Sequence, residues 1–270
     1  MTTDPPRVAA PRNPLGSRPR PHPVRTIAFA LLIAAIDALL LAAALDGVSA
    51  LLAHHRALAL LALWTLGGVT LALLRPVAGQ DVVERDAESP GVMLALLVVP
   101  LVVAPAAAIG ERLGLWLIPG PPAWRWIGVA LSGIGFAIRI AAMRRLGARF
   151  SPRVALQRDH ALETGGLYAR IRHPGYLGAW LIALGGALAF GGGIALPLVL
   201  VMGLLLRNRA RREDAMLERR FGDGFRAYRD RTGRFFPRLN PPARLPETPS
   251  RAWPPGAGSA ILSWCGSPTT

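Results

Sequence analysis

The chain has 270 residues, of which 52% are hydrophobic and only 17% are charged. Soluble domains usually carry about a quarter charged residues, so the composition argues against a soluble globular protein. The formal net charge is +15, and all 31 basic residues are arginines. Such an excess can indicate nucleic-acid binding, but the sequence contains no nucleic-acid motif. The arginines lie beside apolar segments, as in a membrane protein, and we expect no nucleic-acid partner.

The first 25 residues differ in composition from the rest of the chain. They contain seven prolines and five arginines and lack the apolar core of a signal peptide. Proline-rich, charged segments without apolar clusters cannot bury enough surface to fold. We therefore predict a disordered basic tail at residues 1–25.

Four apolar segments come next, each close to the ~20 residues that a helix needs to cross a bilayer. They are residues 26–45, 57–74, 91–110 and 126–143. The first contains Asp37, whose carboxyl is costly inside a membrane and is therefore functional, neutral or bonded to a neighbouring helix. The fourth contains Arg139, close enough to one end to reach the interface. Residues 26–143 are thus predicted to form the N-terminal transmembrane helices.

A fifth apolar segment, residues 176–206, is too long for one span and short for two. Three consecutive glycines, Gly191, Gly192 and Gly193, interrupt it, and Pro197 follows. This pattern predicts a tight hairpin of two short helices, the second of which continues as a charged helix to about Arg220. The predicted fold class is therefore all-α: a polytopic helical membrane bundle of about six spans.

The positions of the arginines predict the orientation of the bundle. With the N-terminus inside, the external loops hold only Arg56, Arg112 and Arg125, and the other 28 arginines lie at the cytoplasmic side. This arrangement satisfies the positive-inside rule. Both termini and the two polar stretches that flank the hairpin, residues 144–173 and those after 206, are then cytoplasmic. If the protein is bacterial, the membrane is the inner or plasma membrane. We expect the two stretches to meet and to form one pocket at the inner membrane surface.

The first polar stretch places His160, Tyr168 and His173 before a predicted helix start. Pro174 suits the first turn of that helix, where a missing N–H has no cost. Backbone N–H groups at such a start can bind an anionic group of a ligand. The alternative is a basic loop whose tyrosine and histidines only anchor the protein at the interface.

The second polar stretch places Arg209, Glu213 and Leu217 on one helix face, because they are four residues apart. The alternative is a solvated salt bridge worth ~0.2–0.5 kcal/mol, although arginine before glutamate is the weaker order for such a pair. His54 and His55 lie in the opposite loop without a third ligand, so we predict no metal site. The single cysteine, Cys265, cannot form an intrachain disulfide.

Together the two stretches resemble the isoprenylcysteine carboxyl methyltransferase family, whose members are integral membrane proteins that use S-adenosylmethionine. The resemblance extends from about Met143 to Pro237. Its first block is His160, Leu162, Thr164, Gly166, Tyr168, Arg172, His173, Pro174, Tyr176 and Gly178. Its second block is Arg209, Glu213, Asp214, Leu217, Phe221, Gly222, Tyr228 and Arg231. The family usually has a second glutamate where this chain has Asp214.

The resemblance implies a catalytic region at residues 144–237. The remainder, residues 238–270, is rich in proline and glycine and is predicted to be a disordered tail. It implies S-adenosylmethionine as the cofactor. The implied cofactor-binding residues are His160, Leu162, Tyr168, His173, Pro174, Gly175, Tyr176 and Glu213. The implied catalytic residues are Glu213 together with Arg209 and Arg231, the two arginines facing the substrate.

The expected function is methylation of a carboxylate on a hydrophobic or lipidated substrate that enters from the bilayer. Three alternatives stay open at this point. The same fold and cofactor could serve a phospholipid amine. Membrane reductases of sterols use a nicotinamide cofactor with a similar C-terminal arrangement. A scaffold without catalytic activity could use its basic tails to bind anionic membrane lipids. The sequence does not indicate an oligomeric state.

Overall fold

A computed structural model of the chain describes residues 23–74, 82–85, 89–147, 155–157 and 162–239. Most of the two tails predicted to be disordered, including Cys265, lies outside these residues. Residues 23–25, which the sequence assigned to the N-terminal tail, form the first turn of a helix instead. The apolar helix therefore begins three residues earlier than predicted.

Eight helices account for most of the described residues. They are α1 (Pro23–Ala44), α2 (Val48–Ala53), α3 (His55–Leu74), α4 (Pro90–Leu113), α5 (Trp126–Leu146), α6 (Pro174–Phe190), α7 (Leu196–Phe221) and α8 (Asp223–Arg231). Helices α1, α3, α4, α5 and α7 are long and apolar enough to cross a membrane, and α6 is a shorter apolar helix of 17 residues. The predicted helical membrane bundle is confirmed, with five helices of spanning length and the shorter α6 as the first helix of the predicted hairpin.

Two short strands, which were not predicted from the sequence, join two connections of the bundle. Strand β1 (Val82–Arg85) follows α3, and β2 (Ala155–Gln157) follows α5. They pair antiparallel, with Val82 opposite Gln157 and Arg85 opposite Ala155. Because only neighbouring backbones can form such pairs, the α3–α4 and α5–α6 connections lie at the same end of the bundle. This is the end at which α6 begins.

The helical hairpin turns where the glycines predict. Helix α6 ends at Phe190, and the next residue, Gly191, has φ +68°, a conformation that favours glycine. A Cβ atom on Gly192 would lie 2.2 Å from the Ala107 carbonyl oxygen of α4. The turn thus needs glycine for two separate reasons, a left-handed backbone and a close approach to α4.

Helices α5 and α6 pack backbone against backbone. A Cβ atom on Gly185 of α6 would lie 2.4 Å from the Gly128 carbonyl oxygen of α5, and one on Gly178 would lie 2.5 Å from the Gly135 carbonyl oxygen. Small residues allow membrane helices to approach this closely, since association in lipid depends on packing. This crossing fixes the position of the start of α6.

An ion cluster ties the other end of α6 to its neighbours. Glu111 of α4 pairs with Arg56 of α3 at 2.7 Å and with Arg125, which precedes α5. Arg56 also donates a hydrogen bond to the Ala189 carbonyl oxygen near the C-terminus of α6. Two of the three arginines that the sequence places in external loops therefore hold the bundle together at the end away from His173.

We expect Gly185→Ala to lower the melting temperature of the protein. An added methyl has no room at the α5–α6 crossing, and overpacking of this kind costs about 1–3 kcal/mol. Gly133→Ala in α5 is the matched control, because a Cβ atom there meets its nearest neighbour, Leu63, at 3.8 Å. Thermal unfolding of both variants in detergent measures the difference, and equal melting temperatures would contradict the packing described.

Candidate functional site

The two polar stretches of the sequence meet at the start of α6. The Tyr176 hydroxyl donates a hydrogen bond to Glu213 Oε2 at 2.7 Å, and Arg209 Nε donates to the Tyr176 hydroxyl oxygen at 2.9 Å. The Arg209 guanidinium carbon also lies 5.8 Å from the centre of the Tyr176 ring. Arg209, Tyr176 and Glu213 thus form one chain of contacts between α6 and α7.

His173 lies directly before α6 and faces two adjacent acidic residues of α7. Its Nε2 atom is 2.8 Å from Asp214 Oδ1, and its Nδ1 atom is 3.7 Å from Glu213 Oε2. The imidazole stacks on the Tyr176 ring with the ring centres 5.4 Å apart and the planes at 3°. Nε2 of His173 is therefore bonded to Asp214, and Nδ1 lies near the second carboxylate, that of Glu213.

Asp214 is the most connected acid of this site. Besides His173, its carboxylate pairs with Arg234 Nε at 3.0 Å and with Arg172 Nε at 3.4 Å. From the sequence, Asp214 stood out only as a departure from the family and was not assigned to the site. The signal that could have found it is its position next to Glu213, opposite the adjacent pair Arg172 and His173.

The loop before α6 is fastened by the segment that follows α8. The backbone N–H groups of Arg172 and His173 donate to the carbonyl oxygens of Gly233 and Arg234 at 2.8 and 3.0 Å. The buried Arg172 side chain donates to the Arg229 carbonyl oxygen at 3.0 Å and to that of Thr232. Burial lowers the pKa of Arg172 below its ordinary value, and Asp214 acts against that shift. The segment after α8 is therefore part of the site's framework.

Two buried tyrosines complete this framework. The Tyr228 hydroxyl of α8 donates a hydrogen bond to the Tyr168 carbonyl oxygen at 2.8 Å. Burial raises the pKa of both Tyr168 and Tyr228 above the ordinary value of a phenol. Both hydroxyls therefore keep their protons at neutral pH, and Tyr228 remains a donor.

The other residues assigned from the sequence take different positions. Leu162 is half-buried, and Gly175 offers its carbonyl oxygen to Arg139 Nη1 at 2.9 Å. Arg231 donates from Nε to the Ala227 carbonyl oxygen of its own helix at 3.2 Å. Pro174 is the first residue of α6, as expected from its missing N–H. The assignment of His160 to the cofactor pocket lies outside the described residues.

The six apolar helices and the polar site at one end of α6 define an integral membrane protein. Residues 126–219, from the start of α5 nearly to the end of α7, match the isoprenylcysteine carboxyl methyltransferase (ICMT) family. Over this region the chain is ICMT-like. Glu213 and Asp214, together with His173 and Tyr176, all fall within it.

Two curated relatives are protein-S-isoprenylcysteine O-methyltransferases. The Schizosaccharomyces pombe protein is 38% identical over 99 residues, which cover 36% of this chain and 42% of the relative. The Tribolium castaneum protein is 27% identical over 128 residues, which cover 45% of this chain and 46% of the relative. The similarity thus spans less than half the length of either relative.

The fold of the chain is also similar to a solved structure, that of the eukaryotic intramembrane Ras methyltransferase ICMT without a monobody. The similarity has a TM-score of 0.49 at 21% sequence identity and covers 66% of this chain and 64% of that chain.

We expect Arg172→Gln to loosen the segment after α8 from the loop before α6. A charged hydrogen bond contributes about 1.5–3 kcal/mol, so its loss should accelerate amide hydrogen exchange by about tenfold or more at His173 and Gly233, whose N–H groups donate to Arg234 and Arg170. Arg170→Gln is the matched control, because the Arg170 side chain is exposed. Exchange that is unchanged in Arg172→Gln, or equally fast in both variants, would show that Arg172 does not fasten this segment.

Proposed function

We propose that the protein is an S-adenosylmethionine-dependent methyltransferase that methylates a carboxylate on a hydrophobic or lipidated molecule at the membrane. The observation that carries this proposal is the chain of contacts from Arg209 through Tyr176 to Glu213, with His173 beside it. It lies within the ICMT-like region, and the two curated relatives are named as O-methyltransferases of protein S-isoprenylcysteine.

The charges of the site suit the proposed cofactor. S-Adenosylmethionine carries a sulfonium and an ammonium group, both cationic, and Glu213 offers a carboxylate to such a group. The Glu213 side chain is 35% exposed, whereas those of His173 and Asp214 are 4% and 8% exposed. Glu213 is therefore the acid of this site that an incoming ligand can reach. We assign it to the cofactor, as the resemblance implies.

Methyl transfer from a sulfonium requires mainly that the reacting atoms be held in line. When bound, the cofactor supplies an activated methyl group, which a carboxylate oxygen takes up as the carbon–sulfur bond breaks and sulfur keeps the electron pair. A carboxylate is ionised at neutral pH and needs no general base. Alignment alone can lower such a barrier by about 7–11 kcal/mol.

Arg209 is suited to orient the carboxylate of the acceptor. A guanidinium binds carboxylates through charge-assisted hydrogen bonds, often two at once. Its Nε–H bond to the Tyr176 hydroxyl oxygen and its place over the Tyr176 ring fix the side chain before any acceptor arrives. The apolar parts of α6 and α7 adjoin the site, so a lipid-like acceptor would approach from the bilayer while the polar cofactor enters from water. We propose that this aqueous side is the cytoplasm, because most of the arginines in the sequence lie on that side.

Binding of the cofactor by the purified protein in detergent tests the proposal. We expect wild type to bind S-adenosylmethionine in titration calorimetry. Glu213→Gln and His173→Ala should each weaken that binding by about tenfold or more, since each loses a polar contact to a charged ligand group. Glu218→Gln, one turn further along α7, is the matched control and should bind like wild type.

Unchanged affinity in both site variants would remove the proposed pocket. Tight binding of NADPH without binding of S-adenosylmethionine would point to a reductase instead, and binding of neither cofactor would favour a scaffold.

The chemical nature of the acceptor is tested with labelled cofactor. With a farnesylated N-acetylcysteine as acceptor, we expect the transferred methyl label to be released by mild base, because an ester hydrolyses under these conditions. Arg209→Gln should raise the KM for this acceptor by about tenfold or more, whereas Arg207→Gln, whose side chain is exposed, should not. A base-stable label on lipid extracted from membranes would instead indicate an amine acceptor.

A further inference from the structure

We infer that Asp214 is a positioning residue that holds His173 with its hydrogen on Nε2, so that Nδ1 and Glu213 Oε2 together form an acceptor pair for the ammonium group of the cofactor. The inference rests on the proposed function and deepens it. It assigns a role to a residue that the resemblance left without one, and it names the ligand group that this part of the site binds.

The bond to Asp214 decides which ring nitrogen of His173 carries hydrogen. A carboxylate can only accept, so Nε2, 2.8 Å from Asp214 Oδ1, must be the donor. In a neutral imidazole the other nitrogen, Nδ1, then has a lone pair and acts as an acceptor. The hydrogen bond at Nε2 thus makes Nδ1 a hydrogen-bond acceptor.

The neighbours of His173 restrict the rotation of its imidazole ring. Its ring stacks on Tyr176, and the Phe235 ring lies beside it, tilted by 57° at a centre-to-centre distance of 6.3 Å. Its backbone N–H is bonded to the Arg234 carbonyl oxygen at 3.0 Å. With a side chain only 4% exposed, the imidazole cannot rotate without moving these neighbours.

Asp214 is itself fixed by two cations. Arg234 Nε contacts Oδ2 at 3.0 Å, and Arg172 Nε lies 3.4 Å from Oδ1, the oxygen that also accepts from His173. These contacts keep the carboxylate ionised and aimed at Nε2. A neutral amide in its place would lose both attractions and could turn its NH₂ group toward the ring.

On the Nδ1 side of the His173 ring, Glu213 Oε2 supplies a second acceptor. Nδ1 and Glu213 Oε2 are 3.7 Å apart, beyond hydrogen-bond distance from each other. At this separation one nitrogen donor can lie about 2.9 Å from both acceptors. An ammonium group has three donors and a positive charge, so it satisfies the lone pair of Nδ1 and the charge of Glu213 at once. The cofactor carries one such group, on its amino acid portion.

Two variants separate this role from a structural one. Asp214→Asn keeps the shape of the side chain and removes its charge. Glu218→Gln makes a similar change of charge on the same helix, at a residue that pairs with Arg226 and Arg229 and not with His173. A third variant, Asp214→Glu, keeps an acceptor and its charge and should retain most of the wild-type behaviour.

The first measurement is nitrogen NMR of the full chain with ¹⁵N-labelled histidine in detergent, with the His173 signals assigned by comparison with His173→Gln. Wild type and Glu218→Gln are expected to show hydrogen on Nε2 and a bare Nδ1. Asp214→Asn is expected to show a mixture of tautomers. This measurement needs no cofactor, so it reports on Asp214 even if the proposed function fails.

The second measurement is steady-state kinetics with varied cofactor. Asp214→Asn should raise the KM for S-adenosylmethionine by about tenfold and change kcat by less than about threefold, since only cofactor binding is affected. Glu218→Gln should leave both within about threefold of wild type. A wild-type tautomer and KM in Asp214→Asn would overturn the inference, as would an equal rise in KM in Glu218→Gln. Failure of the wild type to bind the cofactor would instead defeat the proposed function.

Discussion

The site depends on one buried carboxylate, Asp214, on which His173, Arg172 and Arg234 converge. A charge removed from water is tolerated only when it is paired and hydrogen-bonded. The carboxylate and its partners belong to three separate parts of the chain: Asp214 lies in the charged half of α7, and its partners lie in the loop before α6 and in the segment after α8. Satisfying this one carboxylate therefore brings together the elements that build the site, and it leaves Glu213 as the acid that a ligand can reach.

The apolar part of the bundle supplies the fixed frame for this polar cluster. The glycine contacts between α5 and α6 set the height of α6 in the bundle, and the ion cluster around Glu111 holds its far end. In lipid, helices gain little from burying apolar surface against each other, so close backbone packing and paired charges must fix their positions. These contacts therefore fix the position of the start of α6, where His173 and Tyr176 lie.

Much of the fold could be predicted because each of its signals is local. The apolar segments gave helices at nearly the expected bounds, and Gly191 marked the turn between α6 and α7. The meeting of Tyr176 with Glu213 and Arg209 was also predictable, because a tight hairpin must return its second helix beside the start of the first. The pairing of β1 with β2 was not, since neither strand is apolar or long enough to give a periodic signal. The importance of Asp214 was missed because its partners Arg172 and Arg234 are far apart in the chain.

By itself the sequence determined the helices, their membrane character and the two polar stretches that flank the hairpin, because hydrophobicity and helix-breaking residues act over a few residues. Only the tertiary structure decided which acid pairs with which partner. Asp214 pairs with His173 and the arginines, whereas Glu213 accepts a hydrogen bond from Tyr176 and stays accessible. The two acids are adjacent in sequence and chemically alike. What separates them is the direction of each side chain on α7. That direction determines the partners of each acid only once α6 and the segment after α8 are packed against α7.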